Sequence, residues 1–304
     1  WQYYAATDDQ DFMDRYGYEM TIETARFWNS RLEWIEENNR YEIRDVIGPD
    51  EYKEHVDNNA YTNYMAHENM RLAAQVIACI RDEKKDIYGK MQKLMQEEGT
   101  SLEQLEEELK DKMKKLYLPQ PDEKTGIIPQ FDGYFDLKEI DLSVYKNASV
   151  VGTVFHDYSG EDVQGMQAGK QADIVELLYQ MEDITTPDNK AKNYVYYEAR
   201  TLHDSSLSKA IHSITACDLG MEKEAYDMFM SAALTDLGQE MKSSDAGIHS
   251  ANMGGVWQDV VMGFGGIRIR DGHLRIAPNC PKQWEKFTYP LYWKGNELHI
   301  TVCK

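Results

Sequence analysis

The stretch VIGPDEYKEHVDNN occupies residues 46–59 and divides two segments of helical pattern. Gly48 and Pro49 break any helix there, so the region reads as helix, loop, helix. The loop is strongly acidic. From Asp45 to Asp57, five of thirteen residues are carboxylates: Asp45, Asp50, Glu51, Glu54 and Asp57. Loops held on a rigid helical scaffold are where chemistry tends to sit. Two readings follow: a solvated acidic surface, or the seat of a catalytic acid.

Working outward, residues 11–36 have helical spacing, with Met20, Thr24, Phe27, Leu32 and Ile35 expected on one face. Residues 60–95 repeat the pattern through Tyr61, Met65, Leu72, Val76 and Ile80. Ser101 with Gln104 predicts a capping box, followed by an amphipathic stripe of Leu102, Leu105, Leu109, Met113 and Leu116. A loop over 117–143 carries three prolines. Helical patterns return at about 168–183, 188–200, 205–219, 221–238 and 248–264, with no period-2 run between them. After Gly266 the texture changes. GIRIRDGHLRIAP alternates apolar and polar residues around Asp271-Gly272, and FTYPLYWKGNELHITV does so around Gly295-Asn296. The expectation is a mainly α chain, 1–265, with a small β module at 266–304.

Composition narrows the function. A net charge of −20 over 304 residues argues against nucleic acid and anionic membranes, which call for basic patches. The four cysteines, Cys79, Cys217, Cys280 and Cys303, are too dispersed for a metal site and read as reduced thiols of a cytoplasmic protein. No apolar run reaches the roughly 18 residues needed to span a bilayer. The opening WQYYAATDD resembles a helix already under way, so the chain is expected to be a fragment of a longer protein.

Three further segments could carry chemistry. HDSSLS places Ser205 and Ser206 at an expected helix start, and GIHSANMGG does the same with Gly247 and His249. Helix N-termini present unpaired N–H groups and a positive dipole end, which suits an anion. The plainer reading makes Asp204 and Ser205 simple N-caps. KQAD sets Lys170 and Gln171 side by side at another expected helix start, where an ammonium and an amide could hold sugar hydroxyls; a solvated Lys is the alternative. For the acid, a glycosidase needs a carboxyl kept protonated near neutral pH. On the residues alone, Glu51 and Glu54 stand nearly equal.

TARFWNSRLEW, YEIRDVIGPDEYKEHVDNNAYTNYMA, FDGYF, KQAD, YYEARTLHDSSLS and GIHSANMGGVWQDVVMGFGG occur in that order. Together they resemble glycoside hydrolase family 65, the inverting α-glucoside phosphorylases of maltose, trehalose, kojibiose and nigerose. The resemblance implies the second part of an (α/α)6 barrel plus the start of a C-terminal β-sheet domain. An N-terminal β-sandwich, a linker and a sugar-binding Trp–Asp motif would lie upstream. It assigns the general acid to Glu51, the glucosyl contacts to Lys170 and Gln171, and the phosphate pocket to Ser205, Ser206, Gly247 and His249. It implies no metal and no cofactor, inorganic phosphate as co-substrate, and a homodimeric parent. The departures are Lys53, where many members have His, and Pro129 before QFDGYF, where Glu is common. A family hydrolase would instead require a base carboxylate, for which Glu198 and Asp245 are the nearest candidates. A truncated fragment without turnover is the third reading.

Overall fold

The computed structural model describes residues 1–146, 148, 150–237, 247–270 and 272–304. Short helices α1 (Gln2–Thr7) and α2 (Gln10–Phe12) and a π-helical turn, Met13–Gly17, lead into α3 (Tyr18–Arg31). A small antiparallel pair follows, β1 (Glu33–Ile35) with β2 (Arg40–Glu42), in the register Trp34 opposite Tyr41. The acidic loop then delivers the chain to α4 (Ala60–Glu83), whose start is capped by Asn59 Oδ1 accepting from Thr62 N at 2.9 Å. Helices α5 (Lys85–Glu97) and α6 (Leu102–Lys115) pack back on α4.

Beyond the proline-bearing loop come α7 (Ser143–Lys146), α8 (Gly160–Gln164), α9 (Ile174–Gln180), α10 (Pro187–Arg200), α11 (Ser208–Asp218), α12 (Glu222–Ala233) and α13 (Ser250–Gln258). A π-helical segment, Asp259–Phe264, continues α13. Two hairpins close the chain: β3 (Ile267–Arg270) with β4 (His273–Ile276), and β5 (Lys286–Trp293) with β6 (Asn296–Cys303).

Two helices organise the core. On α4, Ala66, Met70, Ala73, Ile77 and Ile80 face α3, α5 and α6, while Ala60 and Tyr64 join the core around α9–α11. On α11, nine of eleven residues are buried. A helix covered on all sides occupies the middle of its domain, and α9, α10, α12 and α13 surround this one.

Several sequence expectations need correction. The buried face of α3 is Tyr18, Ile22 and Ala25, whereas Met20 and Phe27 are 58% and 56% exposed. The run 11–36 ends in β1, so a short strand pair does interrupt the helical rhythm. Residues 60–95 form two helices, parted at Lys84. Ser101 does cap α6, accepting from Gln104 N at 3.1 Å, and Leu102, Leu105 and Leu109 are buried as expected. Helix α11 starts at Ser208, so Ser205 and Ser206 lie in the preceding turn. Helix α9 starts at Ile174, so Lys170 and Gln171 lie in a bend before it. The expected α12 span reaches Gly238, and the β3–β4 turn uses Asp271; both positions lie outside the described residues.

The buried heart of α11 predicts an acid-sensitive fold. His212 Nδ1 donates to Ser208 O at 2.9 Å, and its ring lies 4.6 Å from that of buried His203. Burial holds His203 down at about 4 and His212 down at about 3, against an ordinary value of 6.5. Between pH 6.5 and about 4 the unfolded chain therefore binds protons that the folded chain refuses. Stability supplied by the neutral rings is full above pH 6.5 and is lost as pH falls through that window. For His212→Asn, the stability deficit relative to the parent should be constant above pH 6.5 and shrink toward pH 4, measured by hydrogen exchange of α11 across pH.

Candidate active site

Four segments meet at the acidic loop. The loop closes on itself through Val46 and Val56, which exchange two backbone hydrogen bonds of 3.0 Å. Two of its five acids are spent on local order. Asp57 accepts from Arg44 Nε at 3.1 Å and Asp45 N at 2.9 Å, and Asp45 pairs with His55 Nδ1 at 2.6 Å. Asp50 turns inward and is buried. Glu51, the next residue, turns outward, and its carboxylate pairs with the Lys170 ammonium.

The KQAD segment runs beside the loop. Lys170 N donates to Asp50 Oδ1 at 2.7 Å, and the Gln171 amide donates to Pro49 O. On its other edge this segment pairs in parallel with the chain leaving α10: Gly169 N donates to Arg200 O, and Leu202 N to Gly169 O, each at 2.8 Å. Asp204 N donates to Lys170 O at 2.9 Å, and Tyr52 Oη donates to Asp204 Oδ2 at 2.9 Å. Glu51, Lys170 and Gln171 are thus brought to one loop, and Ser205 and Ser206 follow directly on a segment bonded to Gly169 and Lys170.

The loop is fastened from behind by Lys53. This buried ammonium donates to Val163 O at 2.6 Å, Gln164 O at 3.2 Å and Met166 O at 2.6 Å. Burial lowers it to about 8, against the pull of Asp50. Lys53→Met would strand the carbonyls of Gln164 and Met166, since Val163 O also accepts from Met166 N at 3.2 Å, and each buried group left unsatisfied costs ~1–3 kcal/mol. The expected result is a loss of roughly 2–3 kcal/mol in local stability, read as faster hydrogen exchange across residues 46–59 and α8.

The segments HDSSLS and GIHSANMGG lead into α11 and α13. A Cβ on Gly255 would touch Ala210, and one on Gly263 would touch Ile214 and Cys217. Residue numbers rise together, so α11 and the α13 segment run parallel and begin at the same end. His249 precedes α13, with Asp236 accepting from its backbone N at 2.8 Å and paired with Nδ1 at 2.7 Å. Gly247 is exposed at φ 129, a conformation that favours glycine.

Of the base candidates, Asp245 lies outside the described residues. Glu198 is committed elsewhere: its Oε1 pairs with Lys146 Nζ at 2.5 Å. Burial opposes its ionisation, but His203 and Lys146 outweigh that and hold it down at about 2, far too low for a base at neutral pH. Sequence reasoning missed Asp50, Asp173, Asn59 and Gln130, which form a buried polar cluster under the loop. Beside Glu51 lies an open cavity of about 640 Å³, lined also by Tyr52, Glu54, His55, Phe155 and Gln164. A larger one, about 1020 Å³, lies away from Glu51 along α10, lined by Phe135, Val195 and Tyr196 among others.

Comparison with known proteins decides the family. The profile described as "Glycosyl hydrolase family 65 central catalytic domain" matches residues 1–258, and that of the family's C-terminal domain matches 267–304. The chain belongs to glycoside hydrolase family 65. It is 45% identical over 303 residues to the kojibiose phosphorylase of Halothermothrix orenii, covering 99% of this chain and 38% of that protein. It is 39% identical to the kojibiose phosphorylase of Escherichia coli K12, covering 99% and 37%, and 36% identical to the α,α-trehalose phosphorylase of Thermoanaerobacter brockii, covering 100% and 38%. A solved structure from the human microbiome, provisionally assigned as a kojibiose phosphorylase, superposes with a TM-score of 0.85 at 30% identity, over 99% of this chain and 43% of the other. The family 65 chain described here therefore spans less than half the length of these relatives.

Proposed function

We propose that the protein carrying this chain splits an α-linked glucose disaccharide with inorganic phosphate, giving β-glucose 1-phosphate and a free sugar. The observation that carries this reading is the pairing of Glu51 with Lys170, with the neighbouring Gln171 bonded to Pro49 O of the same loop, in a chain whose named relatives are disaccharide phosphorylases. In the proposed step a phosphate oxygen bonds to the anomeric carbon from the β face. The glycosidic C–O bond breaks on the α face, and Glu51 gives its proton to the departing oxygen. Lys170 and Gln171 hold the glucosyl unit, and the cavity beside Glu51 gives the leaving sugar room. Ser205, Ser206, Gly247 and His249 hold phosphate near the shared end of α11 and α13. Phosphate is already a nucleophile, so no base carboxylate is required, in keeping with the commitment of Glu198 to Lys146. Residues 1–265 would form part of an (α/α)6 barrel and 266–304 the start of the C-terminal β domain, in a homodimer.

Kojibiose is the first substrate to test, because two of the relatives above carry its name; trehalose, nigerose and maltose follow. Each is incubated with the full-length protein, with and without phosphate, and glucose 1-phosphate and glucose are assayed. Phosphate-dependent sugar phosphate is expected. Glucose released equally without phosphate would mean a hydrolase and would remove the phosphate role from His249 and the serines.

A further inference from the structure

We propose that Asp50 and Asp173 form a proton-sharing positioning pair, Asp50 ionised and Asp173 neutral, that fixes Glu51 and Lys170 relative to each other. The inference rests on the phosphorylase reading only for its kinetic test. Both carboxyls are buried, at 1% and 4% exposure, and one bridge links them: Gln130 Nε2 reaches Asp50 Oδ2 at 3.1 Å and Asp173 Oδ2 at 3.4 Å. Asp50 N also points at Asp173 Oδ2, at 3.4 Å. Two carboxylates in one dry site cannot both ionise.

The donors choose which one does. Asp50 accepts Lys170 N at 2.7 Å, Tyr52 N at 3.2 Å and Gln130 Nε2 at 3.1 Å, spread over both oxygens. Asp173 has one close donor, Asn59 Nδ2 at 2.9 Å, on Oδ2, while its buried Oδ1 has no partner among the described residues. Burial and then the charge of Asp50 push Asp173 up to about 8. Asp50 is also raised by burial, but its donors and Lys53 pull it back. The facing titratable groups are Tyr52 and Lys53 on the loop, Tyr61 on α4, and Tyr134, Tyr197 and Arg200 around the small cavity behind the pair; Lys170 faces it through its backbone N, its ammonium turning to Glu51.

The backbone comes unusually close. A Cβ on Gly169 would lie 2.9 Å from Asp50 Oδ2, and one on Gly48 would lie 2.7 Å from Asp173 Oδ2. Asp50 therefore ties the amide of Lys170 to the residue before Glu51, and Asp173 is the uncharged wall that lets Asp50 keep its charge. Ionising Asp173 would set two buried negative charges against each other and loosen both segments.

The test is made in the full-length enzyme with Asp50→Asn and Asp173→Asn. An amide mimics a neutral acid but cannot accept three N–H donors through both oxygens. Asp50→Asn is expected to lower kcat roughly 10²-fold by misplacing Glu51, and Asp173→Asn at least about tenfold less than that. The parent should also lose kcat as pH rises through about 8, and Asp173→Asn should not. A substrate-free readout separates this from the choice of reaction: infrared difference spectra at neutral pH should show a protonated-carboxyl band that Asp173→Asn removes. Equal damage from both variants, an alkaline limb surviving in Asp173→Asn, or a band that persists in Asp173→Asn would overturn the pair. The Asp173→Asn pH profile and spectrum decide the matter even where Asp50→Asn fails to fold. A parent with no phosphorolysis but the expected spectrum would count against the function and not against the pair.

Discussion

Glu51→Gln in the full-length enzyme is expected to lower kcat for disaccharide phosphorolysis by roughly 10²–10⁴-fold, the usual worth of general acid catalysis. Glu51 is the one acid of its loop whose carboxylate meets Lys170, while Asp45, Asp50 and Asp57 are held by His55, buried donors and Arg44. A sugar alkoxide is a poor leaving group, so the carboxyl proton must arrive as the C–O bond stretches. Glutamine keeps the length of the side chain and a carbonyl that can still accept from Lys170, so the loop should stay folded. It has no proton to give. The loss should therefore fall mostly on kcat, and it should be much smaller with an α-glucosyl fluoride, whose leaving group needs no protonation. Near-parental phosphorolysis of the disaccharide would remove Glu51 from the role, and Glu54, on the same cavity, would be the next to test.

How legible this site was depends on the residue. The acidic loop announced itself through Gly48-Pro49 and its charge, and α4 and α6 through their apolar stripes. The choice of Glu51 over Glu54 did not come from local chemistry, since both are exposed glutamates on the same turn; only the family motif separated them. The face of α3 misled for a definite reason. Met20, Thr24 and Phe27 have the same i, i+4, i+7 spacing as Tyr18, Ile22 and Ala25, so periodicity admits both stripes. Packing against α4 selects the second, which joins the core shared with α4. The strand pair β1–β2 was invisible because three residues per strand are too few for a period-2 signal. Asp50 and Asp173 escaped because an acid in a sequence reads as solvated, and only the fold shows donors converging on it.

The second large effect concerns the join between the helical part and the terminal strands. Arg268 lies on β3 yet turns back into the helices, 7% exposed. Its Nη2 donates to Asp218 Oδ1 at 2.7 Å and Oδ2 at 2.8 Å, at the end of α11. Its Nε lies 3.3 Å from Glu182 Oε1, and its guanidinium sits 5.1 Å from the Tyr179 ring centroid. Removing one partner of a buried ion pair typically costs ~3–5 kcal/mol, because the other charge is left without compensation. Here Asp218 keeps Lys190 at 2.8 Å and Glu182 keeps Arg275 at 2.6 Å. Arg268→Met should therefore cost about 3 kcal/mol, the low end of that range. The damage should be local. Hydrogen exchange should quicken in β3, in β4 and at the end of α11, while α3–α6 stay protected, since their separate core does not include Arg268. Asp218→Asn would in turn leave the buried Lys190 ammonium without its carboxylate, so the double variant should recover none of the loss, and a double-mutant cycle would measure the Arg268–Asp218 coupling alone. Uniform loosening of the whole chain, or no change at β3, would mean that packing and not this ion pair holds the strands to the helices.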